Sequence, residues 1–229
     1  MLKDIALMWK KDSPMREIVN MLGRMVAAGE YVFNQAWQVC LGQVIAEAAR
    51  DSLKGRDKEV NKLEREVRRR LLEHLSINPG MDASGCLAVM VMAKDLERIG
   101  DHGRNLFELA AKAEHGVTGM KLFGQMKPIS EKISAYFPRL QRAVLDSSEE
   151  LAHGILADYQ VLKHEIKSLQ AALFTTDMPG KEAVISTLLA RTLMRINAHI
   201  GNAASAVIFP LENIDYVSRG LRKQAEEDE

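Results

Sequence analysis

Little in this chain points to covalent chemistry, a membrane or nucleic acid, and each shortage excludes something. There are two cysteines, Cys40 and Cys86, far apart and outside any CxxC spacing. They make neither a disulfide framework nor a zinc motif, and are expected as buried thiols in a reducing cytosol. Net charge is zero, with 31 Lys plus Arg against 31 Asp plus Glu. Binding to duplex nucleic acid is driven by phosphate neutralisation, so no nucleic-acid partner is expected. No stretch approaches the roughly 18 consecutive apolar residues of a membrane span. The opening MLKDIALMWKKDSP lacks an apolar core before a cleavage site, so no signal peptide is expected and the protein is placed in the cytoplasm. There is no G-x-S-x-G, no Walker motif and no Cys-His arrangement for a nucleophile. No two histidines stand at i,i+4, and a single Glu-x-x-His pair, Glu150 and His153, falls short of a di-iron bundle. Period-two alternation and Asn-Gly or Asp-Gly turns are missing, so strands are not expected.

What is present is helical period. Ser13-Pro14 reads as a helix start, with Ser as N-cap and Pro at the first helical position. Ile18, Leu22, Met25, Val26, Gly29, Val32, Phe33 and Ala36 then recur at three-and-four spacing, predicting a helix to about Arg50, broken at Lys54-Gly55. A second helix carries Val60, Leu63, Val67, Leu71 and Leu75, and ends at Asn78-Pro79-Gly80. A third, capped by Asp82, runs through Leu87, Met90, Ala93, Leu96 and Ile99 to about Glu114. A Gly- and Lys-rich loop, Gly116 to Pro128, leads to a fourth helix from about Ser130 to Glu149, with Pro138 inside it. The fifth covers roughly Ile155 to Phe174, and the sixth Lys181 to Val207, stopping before Pro210. The 12 methionines are spread over helix faces and read as core filler. The expectation is an all-α fold of two tandem antiparallel three-helix bundles.

The halves repeat each other. KDLERIGDHGRN at 94–105 returns 97 residues later as RTLMRINAHIGN, keeping Leu96, Arg98, Ile99, His102 and Asn105 as Leu193, Arg195, Ile196, His199 and Asn202. Such a fixed long period marks a duplicated supersecondary unit. The copies differ where Glu97 and Asp101 become Met194 and Ala198. His102 and His199 read as packed or capping residues at equivalent places. Gly100 and Gly103 read as sites of close helix packing, and Arg68-Arg69-Arg70 as solvated charges at a helix end.

On the third helix Glu97, Asp101, Asn105 and Glu108 share a face, and on the second Asp57, Asn61 and Glu64 form a similar stripe. Side by side, the two stripes would converge oxygens on a hard or borderline cation. Lys94, Arg98 and Arg104 stand at pairing distance along the same helix, so a solvated face laced with ion pairs has the same spacing. Both readings stand on spacing alone.

The strings DKEVNKLEREV (57–67) and KDLERIGDHGRNLFE (94–108) resemble the hallmark stretches of the PhoU family. The opening LMWKKDS, the late IFPLENIDYV and the duplicated layout resemble it too. The resemblance implies repeats at 1–117 and 128–217 and a charged tail at 218–229. It implies a non-enzymatic cytoplasmic regulator of phosphate uptake, a homodimer that reaches the membrane only through partners. Those partners would be a phosphate ABC transporter ATPase subunit and a sensor histidine kinase. The alternative is a regulator of a sodium/phosphate or inorganic-phosphate permease, or of a channel. The family's metal motif, an acidic residue, three others and Asp, is matched by Glu97 and Asp101. Asp57, Asn61 and Glu64 match on the second helix. The resemblance thus implies iron, zinc or magnesium in the first repeat only, since Met194 and Ala198 cannot ligate, and the stretch with Asp158, Gln160 and Lys163 matches poorly.

Overall fold

The structure, a computed structural model, describes residues 14–77, 83–113 and 116–215. The expected caps at Ser13 and Asp82, the Asn78-Pro79-Gly80 stop, the LMWKKDS opening, the Glu114 helix end, Tyr216, Val217 and the 218–229 tail lie outside those residues. Six helices follow in order: α1 (Pro14–Cys40), α2 (Ala46–Ile77), α3 (Ala83–Lys112), α4 (Phe123–Asp146), α5 (Glu149–Thr175) and α6 (Gly180–Ile208). A single 3₁₀ turn, Leu211–Asn213, comes after α6. No strand occurs among the described residues, and the fold is all-α.

The first helix is shorter than its period implies. The apolar pattern of α1 continues into Leu41, Val44 and Ile45, yet the helix ends at Cys40 and restarts at Ala46. Gly42 takes φ +68°, which glycine adopts without Cβ strain, and the turn closes there. The Val117 N–H donates to the Cys40 carbonyl at 3.0 Å, satisfying an orphan acceptor at the α1 terminus. Lys54-Gly55 is no break: it lies within α2, where an added Cβ on Gly55 would meet open space. A solvent-facing glycine costs a helix only about 1 kcal/mol, which the buried stripe of Leu53, Val60, Leu63, Val67 and Leu71 outweighs. The linker after α3 is also shorter than expected. α4 begins at Phe123, ahead of Pro128, because Leu122 and Met126 are buried and Phe123 stacks on Trp37 at 6.2 Å. The α4–α5 turn falls earlier too: Ser147 adopts the left-handed conformation, and Ser148 caps α5 by accepting from the Leu151 N–H.

α1, α2 and α3 pack on one another, and so do α4, α5 and α6. The two sets meet through equivalent helices, α1 on α4 and α3 on α6, as a pseudo-twofold relation between repeats requires. One apolar cluster runs through all six helices. Gly103 permits close approach at the α1–α3 crossing, where an added Cβ would stand 2.7 Å from a Val32 methyl. Gly100 is in ordinary contact range of Val60 and is not needed for packing in that way. Met15, Met25, Met92 and Met126 are core, whereas Leu87 remains 42% exposed. Both cysteines are buried and free, and burial pushes the Cys40 thiol up to about 12.

Candidate functional site

Two clusters of polar side chains are buried against the third helix, one on each side. The first lies between α2 and α3. Asp57 and Glu64 come from α2 and Glu97 from α3; all three are buried, and Asp101 is partly so. The stripes inferred from spacing therefore face each other: three of the carboxylates are buried rather than solvated, and they are laced with the ion pairs that the spacing also allowed. Cations reach in from the rim. Lys94 Nζ donates to Glu97 Oε2 at 2.7 Å and lies 3.6 Å from Glu64 Oε1. Arg104 bridges the helices, with Nη1 3.1 Å from Asp57 Oδ2 and Nη2 3.4 Å from Asp101 Oδ1. Arg98 stands 3.6 Å from Asp101, and Arg68 donates to Glu64 at 2.6 Å. Asn61 turns its amide to the Asp57 carbonyl at 3.0 Å. Burial, then the nearby Glu97 and Asp57 carboxylates, raise the Asp101 carboxyl above its ordinary value against the pull of Arg104 and Arg98.

This is a charged network in which burial comes first, and the Glu97 carboxylate second, in holding the Asp101 carboxyl up. Each carboxylate is turned to an Arg or Lys, and among the described residues no three His, Cys, Asp or Glu side chains converge in a metal-holding arrangement. The donor chemistry suits a hard cation, but a cation would have to displace Lys94 and Arg104 from the oxygens they hold. Asn105 lines a cavity against α6, whereas Glu108 stands at the helix edge and lines both that cavity and the pocket beside Asp57 and Arg104. The Arg68-Arg69-Arg70 run is not at a helix end, since α2 continues to Ile77. Arg69 pairs with Glu66 and Glu73, and Arg70 with Glu66 and with Glu17 of α1. In the second repeat Asp158, on α5, meets Arg139 of α4 at 2.5 Å.

The second cluster lies between α3 and α6. His102 and His199, equivalent in the repeat, stack on one another with ring centroids 5.4 Å apart and planes 20° from parallel. A residue contacts its own repeat mate only near a pseudo-twofold axis, so the axis passes through this pair. Asp95, buried on α3, accepts from His199 Nδ1 at 2.7 Å and from Asn202 Nδ2 at 3.2 Å, tying the repeats together. Sequence reasoning missed Asp95. The signal was the same 97-residue offset, at which Asp95 corresponds to Thr192. Nε2 of both histidines is buried without a partner. Burial first, then His199, Arg195, Arg98 and Arg191, lower the His102 imidazole to about 4.

That shift sets a direction for stability. His102 takes up its proton near 6.5 when unfolded but near 4 when folded, so the unfolded chain binds more protons between those values. Stability is therefore lost as pH falls from 6.5 towards 4. His102→Gln is expected to flatten that part of the pH–stability curve, as followed by thermal unfolding from pH 7.5 to 4.5. An unchanged slope would remove His102 as its source.

Residues 16–110 match the family model of the PhoU domain. The whole chain is similar in fold to the crystal structure of PhoU from Pseudomonas aeruginosa, with a TM-score of 0.77 and 20% identity. That likeness covers 92% of this chain and 100% of that one. No curated protein sequence matches.

Proposed function

Residues 16–110 are a PhoU domain, and from that premise we propose that the protein is a non-enzymatic cytoplasmic regulator of phosphate uptake and phosphate-starvation signalling. The family match is the observation that carries this reading, and it bears out the resemblance drawn from DLERIGDHGRN. The regulator acts as an adaptor between a phosphate ABC transporter's ATPase subunit and a sensor histidine kinase. As a homodimer it meets the membrane only through those partners. Its means are surface contacts. Exposed apolar side chains on four helices, among them Leu72, Ile77, Phe174 and Val184, suit a partner bound through a few anchors. No helix among the described residues is long and apolar enough to cross a membrane. The second reading, a regulator of a lone phosphate permease or a channel, draws on Met194 and Ala198, which depart from the family's acidic motif. Deleting the gene is expected to alter phosphate uptake or starvation-gene expression. Disturbance of one permease alone would favour the second reading. A phosphatase activity abolished by Asp101→Asn, with signalling intact in the deletion strain, would overturn both.

Metal binding, where it occurs, uses Glu97 and Asp101 with help from Asp57, Asn61 or Glu64, as iron, zinc or magnesium in the first repeat. Occupancy would offset the burial, and the repulsion from Glu97, that raise the Asp101 carboxyl, at the expense of its contacts to Arg104. Asp101→Ala protein purified without chelator is expected to carry less metal than wild type by elemental analysis. Equal content in both removes Asp101 from the site.

A further inference from the structure

The pseudo-twofold axis through His102 and His199 makes a comparison possible within one chain. Every group beside one histidine has a counterpart beside the other, 97 residues away in sequence. Beside His199 the space is filled. The Asp95 carboxylate accepts from His199 and Asn202, and the segment after α6 folds over it, with the Asp215 N–H donating to Ser205 Oγ at 3.4 Å. Beside His102 the position of Asp95 is taken by Thr192, whose hydroxyl turns back to the Leu188 carbonyl at 2.8 Å. A cavity of about 280 Å³ lies there instead, lined by His102, Asn105, Lys112, Arg191, Thr192 and Arg195 among others.

The cavity carries more positive than negative charge, all of it on exposed side chains. Lys112 comes from α3, Arg191 and Arg195 from successive turns of α6. Among the described residues none of the three has an ion-pair partner, although most arginines of this chain do. One carboxylate, Glu108, shares the lining, leaving positive charge in excess. On the opposite side of the axis the counterparts of the two arginines, Lys94 and Arg98, are both drawn away to Glu97 and Asp101. Met194 and Ala198 stand where those carboxylates would be, so loss of the acidic pair from the second repeat is what sets Arg191 and Arg195 free. His102 also lines the cavity, with its Nε2 buried and without a partner, as that of His199 is.

We propose that this α3–α6 cavity binds a small phosphate oxyanion, which takes the place that the Asp95 carboxylate holds on the other side of the axis. Arg191 and Arg195 supply forked N–H donors matched to phosphate oxygens, Lys112 a third positive charge, and Asn105 an amide equivalent to the one Asn202 gives Asp95. The argument rests on the internal symmetry alone and stands whether or not the protein acts in phosphate signalling.

Isothermal titration of the full chain with inorganic phosphate, in a chloride buffer of constant ionic strength, is the test. Wild type is expected to bind, with affinity falling about tenfold or more in Arg191→Gln and in Arg195→Gln, as loss of a charge-assisted hydrogen bond implies. Arg142→Gln, an exposed change on α4, should bind like wild type. Thr192→Asp supplies the missing carboxylate and is expected to abolish phosphate binding while the fold, followed by circular dichroism, is kept. AMP in a parallel titration separates the sources: tighter binding of AMP than of phosphate would identify a phosphate monoester as the ligand. Absence of binding by either at millimolar concentration, or equal affinity in wild type and the two arginine variants, would overturn the proposal.

Discussion

Phe137→Ala is expected to lower the unfolding free energy by about 3–5 kcal/mol, the range for removing a fully buried aromatic side chain. Phe137 of α4 and Phe33 of α1 are both completely buried, with ring centroids 5.7 Å apart and planes tilted by 38°. They meet on the α1–α4 seam, where Gly29 leaves room for the Phe137 ring. A cavity there would belong to both three-helix units at once. Because the apolar cluster is continuous through them, the variant should still unfold in one transition, at lower urea, with both halves lost together. Urea denaturation followed by far-UV circular dichroism reads both quantities. A loss under about 1 kcal/mol, or two separate transitions with only one displaced, would show that the seam is not shared core.

The second large effect belongs to Asp95. Asp95→Ala removes the acceptor of both His199 Nδ1 and Asn202 Nδ2 within the buried α3–α6 seam. Orphaning buried donors costs about 1–3 kcal/mol each, so a total of about 2–6 kcal/mol is expected. Asp95→Asn keeps an acceptor oxygen and should cost less. The contrast is the surface pair of Lys132 and Glu165, 2.6 Å apart but with side chains 47% and 38% exposed. Glu165→Ala should cost under about 1 kcal/mol, because exposed ion pairs contribute little. Chemical denaturation of the three variants ranks them. If Asp95→Ala cost no more than Glu165→Ala, the inter-repeat hydrogen bonds would be incidental to stability.

Both expectations draw on contacts that no local pattern displays. The buried stripes of α1 and α2 were readable because helical period reports which face of a helix is apolar. The 97-residue offset located α3 and α6 to within a residue or two, 83–112 against 180–208. Glu97 and Asp101 could be put on one face from their four-residue spacing. Their burial could not, nor could the way Arg104 reaches from α3 to Asp57 on α2. The turn at 41–45 was invisible for the opposite reason. Leu41, Val44 and Ile45 keep up an apolar helical pattern, and only the backbone at Gly42, held by Val117, interrupts it.

The class of fold, the duplication, the loss of the acidic pair from the second copy and the likeness of residues 16–110 to the PhoU domain were all legible in the chain. All of these are written in period and spacing, which are properties of single helices. Only the packing of helices placed His102 on His199, made Asp95 join the repeats and set Arg191 and Arg195 in a cavity where Glu108 is the one carboxylate against three cations. These depend on how far one helix slides and turns against another, which is set by side-chain volumes summed across the whole core rather than by any segment of it.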